Sequence, residues 1–170
     1  MTLKELREQG ARNFDDPNFD RFKKETWDYW LNTAQMFFAK ILPTELLFEL
    51  HRKKVWHGSE ATNGVVSLPS DYLRYLIVRV NNYPCRVITE AQRRILINSF
   101  YAGTNKDPLV IIDSKERTLE VQPAPADNGT IILEYIKKPD KMINDDDEPE
   151  LKTHEEYILR YAQAQIALID

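Results

Sequence analysis

Val65-Val66-Ser67-Leu68-Pro69-Ser70-Asp71-Tyr72-Leu73-Arg74-Tyr75-Leu76-Ile77-Val78-Arg79-Val80 is the stretch around which the chain is organised. Pro69 has no N–H to give a ladder, so a strand that starts at Val65 stops there. Ser70 and Asp71 bond readily to their own backbone and favour a turn. The β-branched density up to Val80 then marks a second strand, interrupted by Arg74 and Arg79. Upstream of this stretch the apolar residues recur at helical steps. Downstream, as far as Ile136, they read mostly as strands between turn residues. The expectation is an α+β fold.

At 170 residues the chain is long enough for one domain with a full core, or a core plus a small insertion. Apolar residues make up 42% and charged residues 29%, close to ordinary globular values, so the composition suggests neither global disorder nor a membrane class. No apolar run approaches the length of a membrane span. Met1-Thr2-Leu3-Lys4-Glu5 lacks the basic-then-apolar pattern of a signal peptide. A single cysteine, Cys85, excludes an intramolecular disulfide and fits a reducing compartment. The net charge of −4 lacks the basic excess of a dedicated nucleic-acid binder.

Thr2 and Glu5 form a capping-box pattern before a short amphipathic helix carrying Leu3 and Leu6. Asn13 to Asn18 breaks it, and Asp16-Pro17 has the form of a helix restart. From Pro17 to Leu42 the steps of three and four through Phe19, Phe22, Trp27, Trp30, Leu31, Ala34, Phe38 and Ile41 predict the longest helix. So many aromatics would also suit nucleobase stacking, but their helical spacing favours core, with cover by a neighbouring subunit as a variant. Pro43-Thr44 opens a third predicted helix with Leu46, Leu47 and Leu50. Its basic end, His51-Arg52-Lys53-Lys54, meets the negative pole of the helix dipole and reads as a solvated terminus before it reads as a phosphate site.

The β part begins at Val55-Trp56-His57. Cys85 to Ile88, Leu109 to Ile112, Arg117 to Val121 and Ile131 to Ile136 are further strands, with Asp127-Asn128-Gly129 as a turn. Thr89 and Gln92 form a second capping box, opening a helix with Ile95, Leu96 and Phe100 that ends near Gly103. Pro123 and Pro125 keep their segment out of a sheet centre. Asn144 to Glu150 is an acidic run that reads as a solvated linker. Calcium loops space their ligands along a turn with a glycine, and this run does neither. Thr153 to Glu156 is a third capping box before a last helix with Ile158, Tyr161, Ala162, Ile166 and Ile169 on one face.

His51, His57, His154 and Cys85 stand apart from one another with no zinc-type spacing. Phosphate loops and nucleophile elbows are absent, and no carboxylate pair is singled out by its spacing. Catalytic, cofactor-binding and metal-binding residues are therefore expected to be none, and the protein is expected not to be an enzyme.

Several weak patterns in a common order cover most of the chain. Thr2-Leu3-Lys4-Glu5-Leu6-Arg7 comes first, then a long helix with Asn32-Thr33-Ala34, then Leu68-Pro69-Ser70-Asp71-Tyr72-Leu73. Pro123-Ala124-Pro125, Leu133-Glu134-Tyr135-Ile136-Lys137-Lys138-Pro139 and the Ala-rich Tyr161 to Leu168 complete the series. In this order the chain resembles the head–tail connector proteins of tailed bacteriophages, also called adaptor, neck-ring or head-completion proteins. The resemblance implies a structural subunit with a helical bundle and a β insertion. It also implies a twelve-fold ring on the portal protein, a prolonged DNA channel and a platform for tail or neck proteins. The expected partners are the portal, other copies of the chain, those tail-side proteins, and double-stranded DNA that passes without sequence-specific binding. No membrane and no cofactor is expected. The implied location is the virion neck, after synthesis in the host cytoplasm.

The expected organisation is a helical body of residues 1–54 and 150–170. Between its parts lies an inserted, mainly antiparallel β domain of residues 55–149, which contains one helix and the acidic linker. The candidate assembly surface is Ile158, Tyr161, Ala162, Ile166 and Ile169 of the last helix, with Trp27 and Trp30 of the long one. A net-negative channel wall would not hold back passing phosphates. The rival expectation is an accessory nucleic-acid- or small-ligand-binding domain of an enzyme system.

Overall fold

The computed structural model describes residues 1–96 and 102–169. In chain order the helices are α1 (Leu3–Arg12), α2 (Lys24–Ile41), α3 (Glu90–Leu96) and α4 (Glu155–Ala167). The strands are β1 (His51–His57), β2 (Val65–Ser67), β3 (Tyr72–Val80), β4 (Tyr83–Pro84), β5 (Arg86–Ile88), β6 (Leu109–Asp113), β7 (Thr118–Gln122) and β8 (Thr130–Lys137). This is the expected α+β class. The chain divides into two compact units, residues 1–50 with 138–170, and residues 51–137.

In the helical unit, the first capping box forms as its residues dictate. The Glu5 N–H donates to Thr2 Oγ1 at 3.2 Å, and the Thr2 N–H donates to the Glu5 carboxylate at 2.9 Å. α2, however, starts at Lys24 and not at Pro17. The buried Asp16 carboxylate accepts the amides of Asp20, Arg21 and Phe22, at 2.8, 3.2 and 2.9 Å. Those amides lie four to six residues on, so Asp16 closes a loop instead of capping a first helical turn. Phe19 takes a left-handed φ of 60° inside that loop, which no helix tolerates. The loop carries Phe14 and Phe22 onto α2, where the Phe14 ring meets Phe22 and Trp27 edge-on, each at 5.8 Å.

Trp27, Leu31, Ala34 and Ala39 of α2 are fully buried, as are Ile158, Ala162 and Ile166 of α4. The stripe read from the sequence is thus mostly this chain's own core. The expected third helix does not form: Thr44–Leu46 and Phe48–Leu50 are single 3-10 turns that bury Leu47 and Leu50. The third capping box is also absent. The Thr153 amide and hydroxyl are taken by the Glu49 carboxylate at 3.1 and 3.3 Å, and α4 begins two residues later at Glu155.

The β unit stacks two four-stranded sheets, ordered β1-β8-β3-β4 and β2-β7-β6-β5. Pairing is antiparallel except between β5 and β6. The turn after Pro69 forms where expected, but it sends β2 and β3 into different sheets. Trp56, Val66, Val78, Val80, Leu119, Val121, Ile131 and Leu133 form the core between them. His51 to Lys54 is a correction to the sequence reading: these residues are the first half of β1 and not a helix end. β1 is an edge strand whose side chains are exposed apart from Trp56, and lysines on such an edge resist stray pairing. The second capping box forms, with Thr89 N–H to Gln92 Oε1 at 2.8 Å and Gln92 N–H to Thr89 Oγ1 at 3.3 Å. Phe100, expected in that helix, lies outside the described residues.

Candidate assembly surface

The acidic run is not a loose linker. Residues 138–150 form a strap fastened along the helical unit by three side chains, Asn32, Gln35 and Arg7, to which the sequence alone assigns no such role. Asn32 Nδ2 donates to the Met142 carbonyl at 3.0 Å, and the Met142 N–H donates to Asn32 Oδ1 at 2.8 Å. One turn on, Gln35 Nε2 donates to the Asp140 carbonyl at 3.0 Å, and Gln35 Oε1 accepts the Glu150 N–H at 2.6 Å. These two amides, three residues apart and so on one helix face, pair with the strap's backbone as a neighbouring strand would.

Arg7 is the third fastener. Its guanidinium, buried in α1, holds Asp28 of α2 at 3.0 and 3.1 Å and also bonds Asp145 of the strap. The Arg7 bond, with its charge, holds the Asp145 carboxyl below its ordinary range. Burial pushes Asp28 up, against the pull of the same guanidinium. Burial also works against the charge on Arg7, but the bonds to Asp145 and Asp28 outweigh it and raise its pKa. The strap completes α1 as well: the Leu3 N–H donates to the Asp147 carbonyl at 2.7 Å and the Lys4 N–H to the Asp145 carbonyl at 3.1 Å. With the capping box, all four amides that a helix start leaves orphaned have partners. The sequence signal for this strap was available in Asn32 and Gln35, polar residues set into an otherwise apolar stripe.

Between α2 and the strap lies a cleft of about 570 Å³, lined by Tyr29, Thr33, Met36, Pro139, Met142 and Ile143, with Glu25 and Asp140 among its charged residues. Tyr29 is 62% and Ile143 78% exposed, so the apolar walls are open to solvent. On the α2–α4 side, Phe37 stacks on Tyr161 at 4.8 Å, and Phe38 meets the same ring edge-on at 6.0 Å. Tyr157 is exposed on α4, and Leu168 is exposed just past its end.

The seven residues expected to form an assembly surface divide sharply. Trp27, Ile158, Ala162 and Ile166 are fully buried within the subunit, Trp30 and Tyr161 are half-buried, and Ile169 is 60% exposed. Helical periodicity identifies a face that meets apolar surroundings, but not whether they come from the same chain.

Two groups outside this surface have raised pKa values. Burial pushes the Cys85 thiol up to about 12, which keeps it protonated and a poor nucleophile. Burial, with a hydrogen bond to Asp71 at 3.0 Å, likewise raises the Tyr135 phenol to about 12. Among the described residues, no group of three or more His, Cys, Asp or Glu side chains is placed to hold a metal ion. Among the same residues, no helix is long and apolar enough to cross a membrane.

The helical unit carries open aromatic and apolar surface, and the other unit is built of two sheets. The family model described as SU10 adaptor protein matches residues 1–169, and the chain belongs to that family of bacteriophage adaptors. An adaptor of this kind is a structural component of the phage particle. No curated protein matches the chain.

Proposed function

We propose that this adaptor forms a ring on the portal at the head–tail interface, extends the DNA channel and offers a platform to tail or neck proteins. Family membership over nearly the whole chain is the observation that carries this reading. The apolar surface that the helical unit leaves open supports it, since ring closure requires each subunit to bury area against two neighbours and the vertex beneath. The contact surface is formed by Trp30, Tyr161 and Ile169 together with the exposed Tyr29, Phe37 and Tyr157. Trp27, Ile158, Ala162 and Ile166 support it from below. Free subunits associate weakly, because the sequence holds no long heptad seam, and many simultaneous contacts on the portal raise the effective concentration.

The experiment is negative-stain imaging of the purified protein mixed with its portal. Rings of added density on the portal are expected. Portal particles unchanged at saturating adaptor would overturn the reading.

A further inference from the structure

The charge of this molecule is unevenly shared. Residues 1–50 and 138–170 hold eleven lysines and arginines against eighteen aspartates and glutamates, a net of −7. Residues 51–137 hold twelve against nine, a net of +3. The whole-chain value of −4 conceals this division.

The two signs meet complementary surfaces. The cleft between α2 and the strap is apolar inside, through Tyr29, Met36, Pro139 and Ile143, and its charged lining is Glu25, Asp28 and Asp140 with the single cation Lys141, an acidic excess. β1 pairs with β8 on one side and is the edge of its sheet on the other. In its middle, Val55 is 41% exposed and stands next to the exposed Lys53 and Lys54, and no acidic residue occurs from Leu50 to Ser59. Val55 shares its face of the strand with Lys53, while Lys54 lies on the other face over the Trp56 ring. The edge is thus an apolar side chain with an ammonium group on each face, the counterpart of an apolar cleft with an acidic excess.

We propose that the cleft between α2 and the strap receives the β1 edge of a second copy of this chain, joining subunits head to tail. The proposal deepens the ring reading above and rests on it. The alternatives within one chain type are electrostatically poor. Two clefts face to face would oppose linings that each carry more carboxylates than the one ammonium group of Lys141, and two β1 edges would oppose Lys53 and Lys54 to their own copies. A cleft-to-edge contact sets unlike charges together and is heterologous, the type of contact that generates rings. The lysines thus have two effects: they prevent edge-to-edge pairing of free subunits, and they select the acidic partner surface.

Disulfide trapping tests this contact directly. In a Cys85→Ala background, the chain carrying both Val55→Cys and Ile143→Cys is oxidised mildly at high protein concentration. A ladder of dimers, trimers and larger species is expected, weakened by added salt. An equal mixture of the two single-cysteine chains is expected to stop at dimers, and either chain alone to stay monomeric. Dimers from one single-cysteine chain alone, or no linked species at all, would overturn the proposal.

Charge reversal gives an independent reading on folded variants, checked by circular dichroism. Lys53→Glu with Lys54→Glu should slow trapping about tenfold, and adding Glu25→Lys with Asp140→Lys should restore most of the rate. If the lysine pair instead lowers binding to a random-sequence DNA duplex and leaves trapping unchanged, the basic edge serves DNA and the contact is wrong. Rings on the portal that survive the unrestored reversal would remove this contact and keep the ring. A ladder in solution without any ring on the portal would keep the contact and remove the ring.

Discussion

Gly10 of α1 lies directly against the six-membered ring of Trp27 in α2: a Cβ on Gly10 would stand 2.4 Å from Trp27 Cζ3 and 2.8 Å from Cη2. The two helices approach as closely as they do because that carbon is missing. Gly10→Ala therefore sets two effects against each other. Helix propensity favours alanine by roughly 0.5–1 kcal/mol, whereas overpacking a core costs about 1–3 kcal/mol. Trp27 is fully buried and touched by Phe14, so its ring has little room to retreat. The expected result is a lower urea midpoint, with partial recovery when Trp27→Phe is added. A raised midpoint would mean that the ring shifts freely.

Asn32→Ala removes both hydrogen bonds to the Met142 peptide groups and leaves those groups to find water. A loss of about 2 kcal/mol is expected in chemical unfolding, from two net hydrogen bonds of ordinary strength. Hydrogen exchange should locate the effect, with faster exchange in the strap and at the Leu3 and Lys4 amides that it holds. Unchanged exchange there would mean that Arg7 and Gln35 suffice to hold the strap.

Acid should weaken the fold. Asp16 is held low chiefly by the Phe22 amide, Asp145 by Arg7, Asp147 by the Asn144 amide and Glu148 by Lys152. Carboxyls depressed in the folded state contribute stability above their unfolded pKa, and that stability is lost as pH falls through the folded value. Asp28, raised by burial, has the opposite sign: its contribution grows as it gains a proton. Four depressed groups against one raised group predict a urea midpoint that drops as pH falls below the ordinary aspartate value of 3.8. Asp16→Asn should make that drop shallower. A midpoint that rises on acidification would show that Asp28 dominates.

Two isoleucines, one inside α4 and one just past its end, should behave oppositely. Ile166 is fully buried, so Ile166→Asp places a charge in the core and is expected to cost about 3 kcal/mol or more. Ile169 is mostly exposed, so Ile169→Asp should change stability by no more than about 0.5 kcal/mol. Thermal melts followed by circular dichroism distinguish them. Portal-binding assays on the folded Ile169→Asp chain then report on assembly alone. Normal rings from that chain would remove Ile169 from the contact surface.

Local chemistry was legible in the residues themselves. Pro69 with Ser70 and Asp71 ends one strand and turns the chain into another, and the Thr2/Glu5 and Thr89/Gln92 boxes cap their helices, because each depends on groups within a few residues. The same reasoning erred where a distant group competed for the local one. Glu49 takes Thr153 away from its capping role across 104 positions of sequence, and the amides of residues 20–22 draw Asp16 into a loop. β1 was misread because an edge strand with both faces largely exposed carries no alternation to detect, and four polar residues in a row look equally like a helix end. Amphipathic spacing established that α2 and α4 bury a face. Only the fold decided that Trp27 and Ile166 bury theirs against this chain while Ile169 stays open, because burial depends on which surfaces meet and periodicity records only that one is apolar.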